Sequence, residues 1–321
     1  MMMRTIGKNI IAYFSLFRIV NLIIIALTQI LVRYCIIENF YSFQETSLQL
    51  SFNNFLLLLL ASVFIAAAGN IINDIYDIDI DRINNRKNVV KSVVPISIAW
   101  IFYYAFNVTG VIMGFALASK VGAYQLGFIF PIIAGLLYFY TTRYKGMLFW
   151  GNLIIAFLSA FVLLVVWLFE YMALRNNPDI YVMVFRGIPV INLYIWGYAL
   201  FAFLCTILRE WVKDLQDIPG DKRYGCNTLP IAIGIRRTKI LAIVINILII
   251  VLLALFQYHL ISRGYLFTFI YILIAVQTLL VYCLIQLFRM KTAKDYDLIS
   301  RLAKLIMLAG VLSMELLFID N

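Results

Sequence analysis

Four carboxylates crowd the stretch Gly69-Asn70-Ile71-Ile72-Asn73-Asp74-Ile75-Tyr76-Asp77-Ile78-Asp79-Ile80-Asp81-Arg82, directly after the apolar run Phe55 to Ala68. On an ideal helix turning about 100° per residue, Asn70, Asp74, Asp77 and Asp81 fall within roughly 60° of one another, with Asp79 opposite. Acids stacked on one stripe repel one another unless a cation sits among them, so the arrangement calls for a metal. The spacing then recurs: Asp74-x2-Asp77-x3-Asp81 is matched by Asp214-x2-Asp217-x3-Asp221, after a second apolar run, Ile195 to Leu208. Pro219 and Gly220 are expected to end this helix beyond Asp217.

Bases interleave with both clusters. Asn84-Asn85-Arg86-Lys87-Asn88-Val89-Val90-Lys91 follows the first, and Arg209, Glu210, Lys213, Lys222 and Arg223 flank the second. Acids with interspersed bases suit a magnesium-bridged polyphosphate: carboxylates hold Mg2+, the metal holds phosphate oxygens, and Lys or Arg neutralises the remainder. The basic loop around Lys87 either covers anions held there or is a topology anchor. The same two readings apply to Arg18, which with Asn21 interrupts the first apolar segment and either faces a cavity or snorkels to the surface.

The elements that must position these residues are membrane helices. The 321-residue chain is 64% hydrophobic and only 13% charged, with a mean hydropathy of +0.96, more apolar surface than a soluble domain can bury. Nine spans are expected, at about 10–36, 50–72, 94–118, 124–142, 148–169, 189–211, 238–258, 265–288 and 302–319, in a single domain over residues 1–321 with no linker and no cleavable leader. Of the 26 Lys and Arg residues, only Arg33, Lys120, Arg175, Arg186 and Arg263 fall on the side opposite the acidic motifs. The positive-inside rule then places the N-terminus and both motifs in the cytoplasm and the C-terminus outside, in a cytoplasmic membrane. Arg143 and Lys145 lie on the same side as the acids. The net charge of +10 is explained by this topology, and nucleic acid is not an expected partner.

A single histidine, His259, excludes a multi-histidine metal site, and the four cysteines show no metal-binding or redox spacing. A bare-cation transporter would also bury acids in spans, but acids at span ends among bases suit an anion-bearing ligand better. A CDP-alcohol phosphotransferase pattern needs glycine after the second Asp, where Ile78 stands. Two solvated loops would leave the repeated spacing unexplained.

Gly69-Asn70-x2-Asn73-Asp74-x2-Asp77-x3-Asp81 resembles the first signature of the intramembrane UbiA-type prenyltransferases. Asp214-x2-Asp217-x3-Asp221 with Gly225 and Thr228-Leu229-Pro230 resembles their second, and Tyr140 to Asn152 is similar to the segment after their fourth helix. The resemblance implies an all-α protein with nine transmembrane helices in a ring around a central cavity. It also implies Mg2+-dependent prenyl transfer from a prenyl diphosphate to an acceptor in or at the membrane lipid. Asn73, Asp77, Asp81, Asp217 and Asp221 match the family's metal–diphosphate positions, with Asp74 and Asp214 the adjoining acids. Lys145, Tyr140 and Arg209 match diphosphate or acceptor contacts. The run Asn70 to Asn84 looks most like the branch whose acceptor is a prenylated glycerol phosphate, whereas the segment Lys87 to Ser92 departs from the family's Arg-Pro-Ile/Leu-x-Ser-Gly. An aromatic quinone precursor is the alternative acceptor. Asp74 is expected to serve as a spare carboxylate that takes the acceptor's proton. Oligomeric state is left open.

Overall fold

Apolar runs of twenty or more residues, with every backbone group satisfied inside the segment, form helices in a bilayer. The computed structural model describes residues 11–84 and 88–320. Among them, nine helices are long and apolar enough to cross a membrane: α1 Ile19–Ser42, α2 Phe52–Tyr76, α3 Ile96–Lys120, α4 Tyr124–Tyr144, α5 Trp150–Arg175, α6 Ile188–Arg223, α7 Ile235–Ser262, α8 Leu266–Arg289 and α9 Ala293–Ile319. The described residues contain no β-strand beyond an isolated bridge between Val90 and Val94. The chain is an all-α integral membrane protein.

The helices fall into two compact units. The first holds residues up to Leu27, Leu50–Gly146 and Pro219–Gly225; the second holds Thr28–Gln49, Met147–Ile218 and the chain from Cys226 onward. In the first unit α2 and α3 pack side by side along their length. Their approach is set by small residues: a Cβ built at Gly110 would stand 2.7 Å from Ile65 Cγ1 and 3.1 Å from the Ala61 carbonyl oxygen. Close backbone contact of this kind replaces the hydrophobic driving force that lipid removes. At the polar end of this pair, Ala68, Ile72 and Ile75 of α2 form a buried cluster with Ala99 and Tyr103 of α3 and with Ala12 and Leu16.

In the second unit the helix ends carry built caps. Thr292 and Asp295 form a reciprocal capping box at the start of α9. Asp320 accepts hydrogen bonds from the Phe267 and Thr268 backbone N–H groups, at 2.9 and 2.7 Å, so the residue after α9 caps α8. An apolar cavity of about 330 Å³ lies within this unit, lined among others by Gly197, Phe201, Leu204, Leu253, Phe256 and Gly310.

Three elements differ from the sequence expectation, one of them α9, which starts at Ala293 rather than near residue 302 because its first turns are polar. The first apolar segment is not one helix over 10–36. Residues 11–17 are helical, Arg18 breaks the run, and α1 starts at Ile19 and extends to Ser42 through a π-helical stretch, Val32–Glu38. Arg18 has φ of 53°, a left-handed conformation uncommon outside glycine and a few polar residues. Pro219 and Gly220 do not end α6, which continues to Arg223. The groups that a proline frees in a helix interior must find partners elsewhere, and the Gly220 N–H does so on the Asn84 side chain.

Candidate active site

The site in the first unit is built at the break in the first segment and at the polar end of α2. An interrupted helix leaves carbonyls without intrahelical partners. The Phe17 carbonyl, just before the break, accepts a hydrogen bond from Asn70 Nδ2 at 3.0 Å. One turn further along α2, Asp74 Oδ1 receives the Arg18 guanidinium at 2.6 Å. Asn70 and Asp74 together hold the unusual backbone of Arg18 and present its guanidinium at the acidic cluster. Asn21, on the far side of the break, is half-buried in α1.

The next turn carries the densest polar contacts. Asn73 and Asp77 are buried, and Asn73 Nδ2 donates to Asp77 Oδ2 at 2.7 Å. Lys145 forms an ion pair with Asp77 and also donates to Asn73 Oδ1 at 3.3 Å. Lys145 reaches them because α4 ends in a π-helical turn, Tyr140–Tyr144, in which the Lys145 N–H bonds the Tyr140 carbonyl five residues back at 2.8 Å. The extra residue in that turn shifts the side-chain register by one position relative to an α-helix. Tyr140 itself is buried. Asp77 falls at the junction of α2 with the short helix Ile78–Ile83, yet Asp81 N still bonds the Asp77 carbonyl at 2.8 Å, so the acids keep their helical succession. Asp79 is exposed.

Asn88 closes this end. Its Nδ2 donates both to the Asp74 carbonyl at 2.8 Å and to Asp81 Oδ2 at 2.9 Å, and its Oδ1 accepts from Val90 N at 2.9 Å. Asp221, of the second motif, is buried in the same unit.

The other two acids of the second motif belong to the second unit. Asp214 Oδ2 accepts from Asn152 Nδ2 at 2.9 Å, and Asp217 is half-buried. One turn before them Glu210, buried, pairs with Arg209 at 2.6 Å and with Lys213 at 3.9 Å. A carboxylate between two bases fixes both of them.

Of the residues expected from sequence, Arg18, Asn70, Asn73, Asp74, Asp77, Asp81 and Lys145 are linked by hydrogen bonds within one unit. Arg143 and Lys222 are exposed. Lys87 lies outside the described residues. Asp74, expected as a spare carboxylate, is paired with Arg18 in this structure. The amide clamps of Asn84, Asn88 and Asn152 were not expected, since a single asparagine near an acid has no spacing that sets it apart. Among the described residues no three acids, cysteines or histidines stand together as a preformed metal cage; each acid of the first motif meets a cation or an amide instead.

The model of the UbiA prenyltransferase family matches residues 42–306. A curated relative, the digeranylgeranylglyceryl phosphate synthase of Methanosphaera stadtmanae, is 32% identical over 61% of this chain. That match spans 64% of the relative's own length, and a second such synthase, from Pyrococcus abyssi, is matched over 58% of its length at 32% identity. A solved structure described as giving insight into digeranylgeranylglyceryl phosphate synthase in membranes superposes with a TM-score of 0.59 at 26% identity, covering 96% of this chain and 99% of that one.

Proposed function

The chain belongs to the UbiA prenyltransferase family, and on that footing we propose that it transfers a prenyl group from a prenyl diphosphate to a membrane-associated, prenylated glycerol phosphate, with Mg2+ as cofactor. The observation that carries this reading is the cluster of Lys145 with Asp77 and Asn73, beside the Arg18–Asp74 pair. The synthase named among the relatives supports the choice of acceptor.

The residues present fit Mg2+. Asn73 Oδ1 and the carboxylates of Asp77, Asp81 and Asp221 are the hard oxygen donors that ion takes, and Asp77 and Asp74 already attract a cation each. In the second unit Asp214 and Asp217 offer the same chemistry. Bound Mg2+ would neutralise charge on the diphosphate oxygens and so ease departure of the leaving group.

The chain's own groups do the rest. The Lys145 ammonium, held by Asp77 and Asn73, presents fixed positive charge where the diphosphate gathers negative charge as its allylic carbon–oxygen bond breaks. Arg18, seated by Asp74 and only partly covered, offers planar N–H donors suited to phosphate oxygens. In the first unit Tyr140 is a further polar group suited to phosphate, and in the second unit Arg209 and Lys213 offer the same chemistry. The excess of Lys and Arg on the side of the acids supports a cytoplasmic site in a cytoplasmic membrane, with the N-terminus inside and the C-terminus outside.

Asp77→Ala and Asp217→Ala should each abolish Mg2+-dependent diphosphate release while the protein remains inserted and folded. The assay uses purified full-length protein, several prenyl diphosphates, and a panel of glycerol phosphate and aromatic acceptors with products identified by mass spectrometry. Wild-type rates from either variant would refute the role of the acids, and prenylated aromatic products would move the acceptor assignment.

A further inference from the structure

Asn84 ends the short helix Ile78–Ile83 as its C-cap residue, three positions after Asp81. Its Oδ1 accepts the Gly220 N–H at 3.0 Å, and Gly220 stands between Pro219 and Asp221. Asn84 and the segment Pro219–Gly225 belong to the same unit.

Three independent features converge on this contact. A proline in a helix interior forfeits one N–H and crowds the carbonyl one turn back, so the backbone around Pro219 needs support from outside the helix, and the Asn84 amide supplies it. The approach is close enough that any side chain at position 220 would displace the amide: an added Cβ would lie 2.6 Å from Asn84 Nδ2 and 2.8 Å from Asn84 Oδ1. Finally, Gly220 is buried and directly precedes Asp221, itself buried.

We propose that Asn84 is a positioning residue for Asp221. By gripping the Pro219–Gly220 notch, its side-chain amide fixes the last acid of the second motif relative to the helix that carries Asp81. The glycine is required so that the amide can reach the backbone. The proposal rests on the reading of Asp81 and Asp221 as groups that bind metal and diphosphate.

The test is a double-mutant cycle on detergent-purified full-length protein, comparing Asn84→Ala, Gly220→Ala and the double variant. Three quantities are measured: thermal midpoint, Mn2+ binding by electron paramagnetic resonance, and the Mg2+ concentration giving half-maximal diphosphate release. Asn84→Ala should weaken Mn2+ binding and raise the half-maximal Mg2+ concentration by about tenfold, as loss of an outer support of a metal site does. Gly220→Ala should do at least as much alone. In the Asn84→Ala background it should add less than about twofold, because the methyl group enters the space the amide has left.

Gly220→Ala that is harmless, or equally harmful with and without Asn84, overturns the proposal. So do variants that melt lower but keep wild-type Mn2+ binding and Mg2+ dependence, since that is a structural role only. If Gly220→Ala does not accumulate, the Mn2+ affinity of Asn84→Ala decides alone. Wild-type protein that binds no Mn2+ would remove the parent reading along with this one, whereas a normal wild type with unresponsive variants removes only this one.

Discussion

Arg18 concentrates the cost and the purpose of the site in one residue. Its φ of 53° is a conformation that glycine adopts freely and other residues adopt only under constraint. The constraint here is visible: Asn70 binds the carbonyl on one side of the break and Asp74 binds the guanidinium. Removing the guanidinium leaves Asp74, 8% exposed, without its cation. Discounted because the Arg18 side chain is 38% exposed, the loss should be about 2 kcal/mol. Arg18→Gly should be less destabilising than Arg18→Ala, because glycine suits the backbone there. Chemical unfolding in detergent micelles reads both, and an Arg18→Ala variant that is the more stable of the two would show that the break carries no strain.

At the scale of elements, small residues set how closely helices approach. Leucine at Gly110 would drive a side chain into Ile65 and the Ala61 carbonyl, and overpacking of this kind should destabilise the first unit by about 1–3 kcal/mol. A lowered thermal midpoint for Gly110→Leu checks this, and an unchanged one would mean that α2 and α3 part without cost. The nine helices were legible because each holds a mostly apolar run of some twenty residues, and hydropathy alone marks such runs. Their ends were less so. The apolar span of α6 was expected to end near residue 211 and its helix at Pro219, yet it runs to Arg223, because its polar last turns carry no hydropathy signal and because the support Asn84 gives to the Pro219 region comes from distant sequence. The break at Arg18 was hidden for the same reason: the residues that hold it lie more than fifty positions away. The acids themselves were readable from spacing. The amide clamps were not, since Asn84, Asn88 and Asn152 act through contacts and follow no repeat.

For the whole molecule, the two ends of α7 give a direct measure of orientation. Arg237 lies near its start and Arg263 just past its end, both exposed. Cys35, Cys205 and Cys283 are buried and only Cys226 is half-buried, so single cysteines can be introduced after Cys226→Ser. In right-side-out vesicles an impermeant maleimide should label Arg263→Cys and should reach Arg237→Cys only after permeabilisation. The reverse pattern would invert the proposed topology. The amide clamps carry a consequence of their own. An amide brings no formal charge, so it steadies a carboxylate without cancelling that carboxylate's charge. Dissolved salt weakens attraction between exposed ions but has little purchase on a neutral donor. Raising ionic strength should therefore slow the encounter with charged reactants while leaving Asp81 and Asp214 on their amide supports.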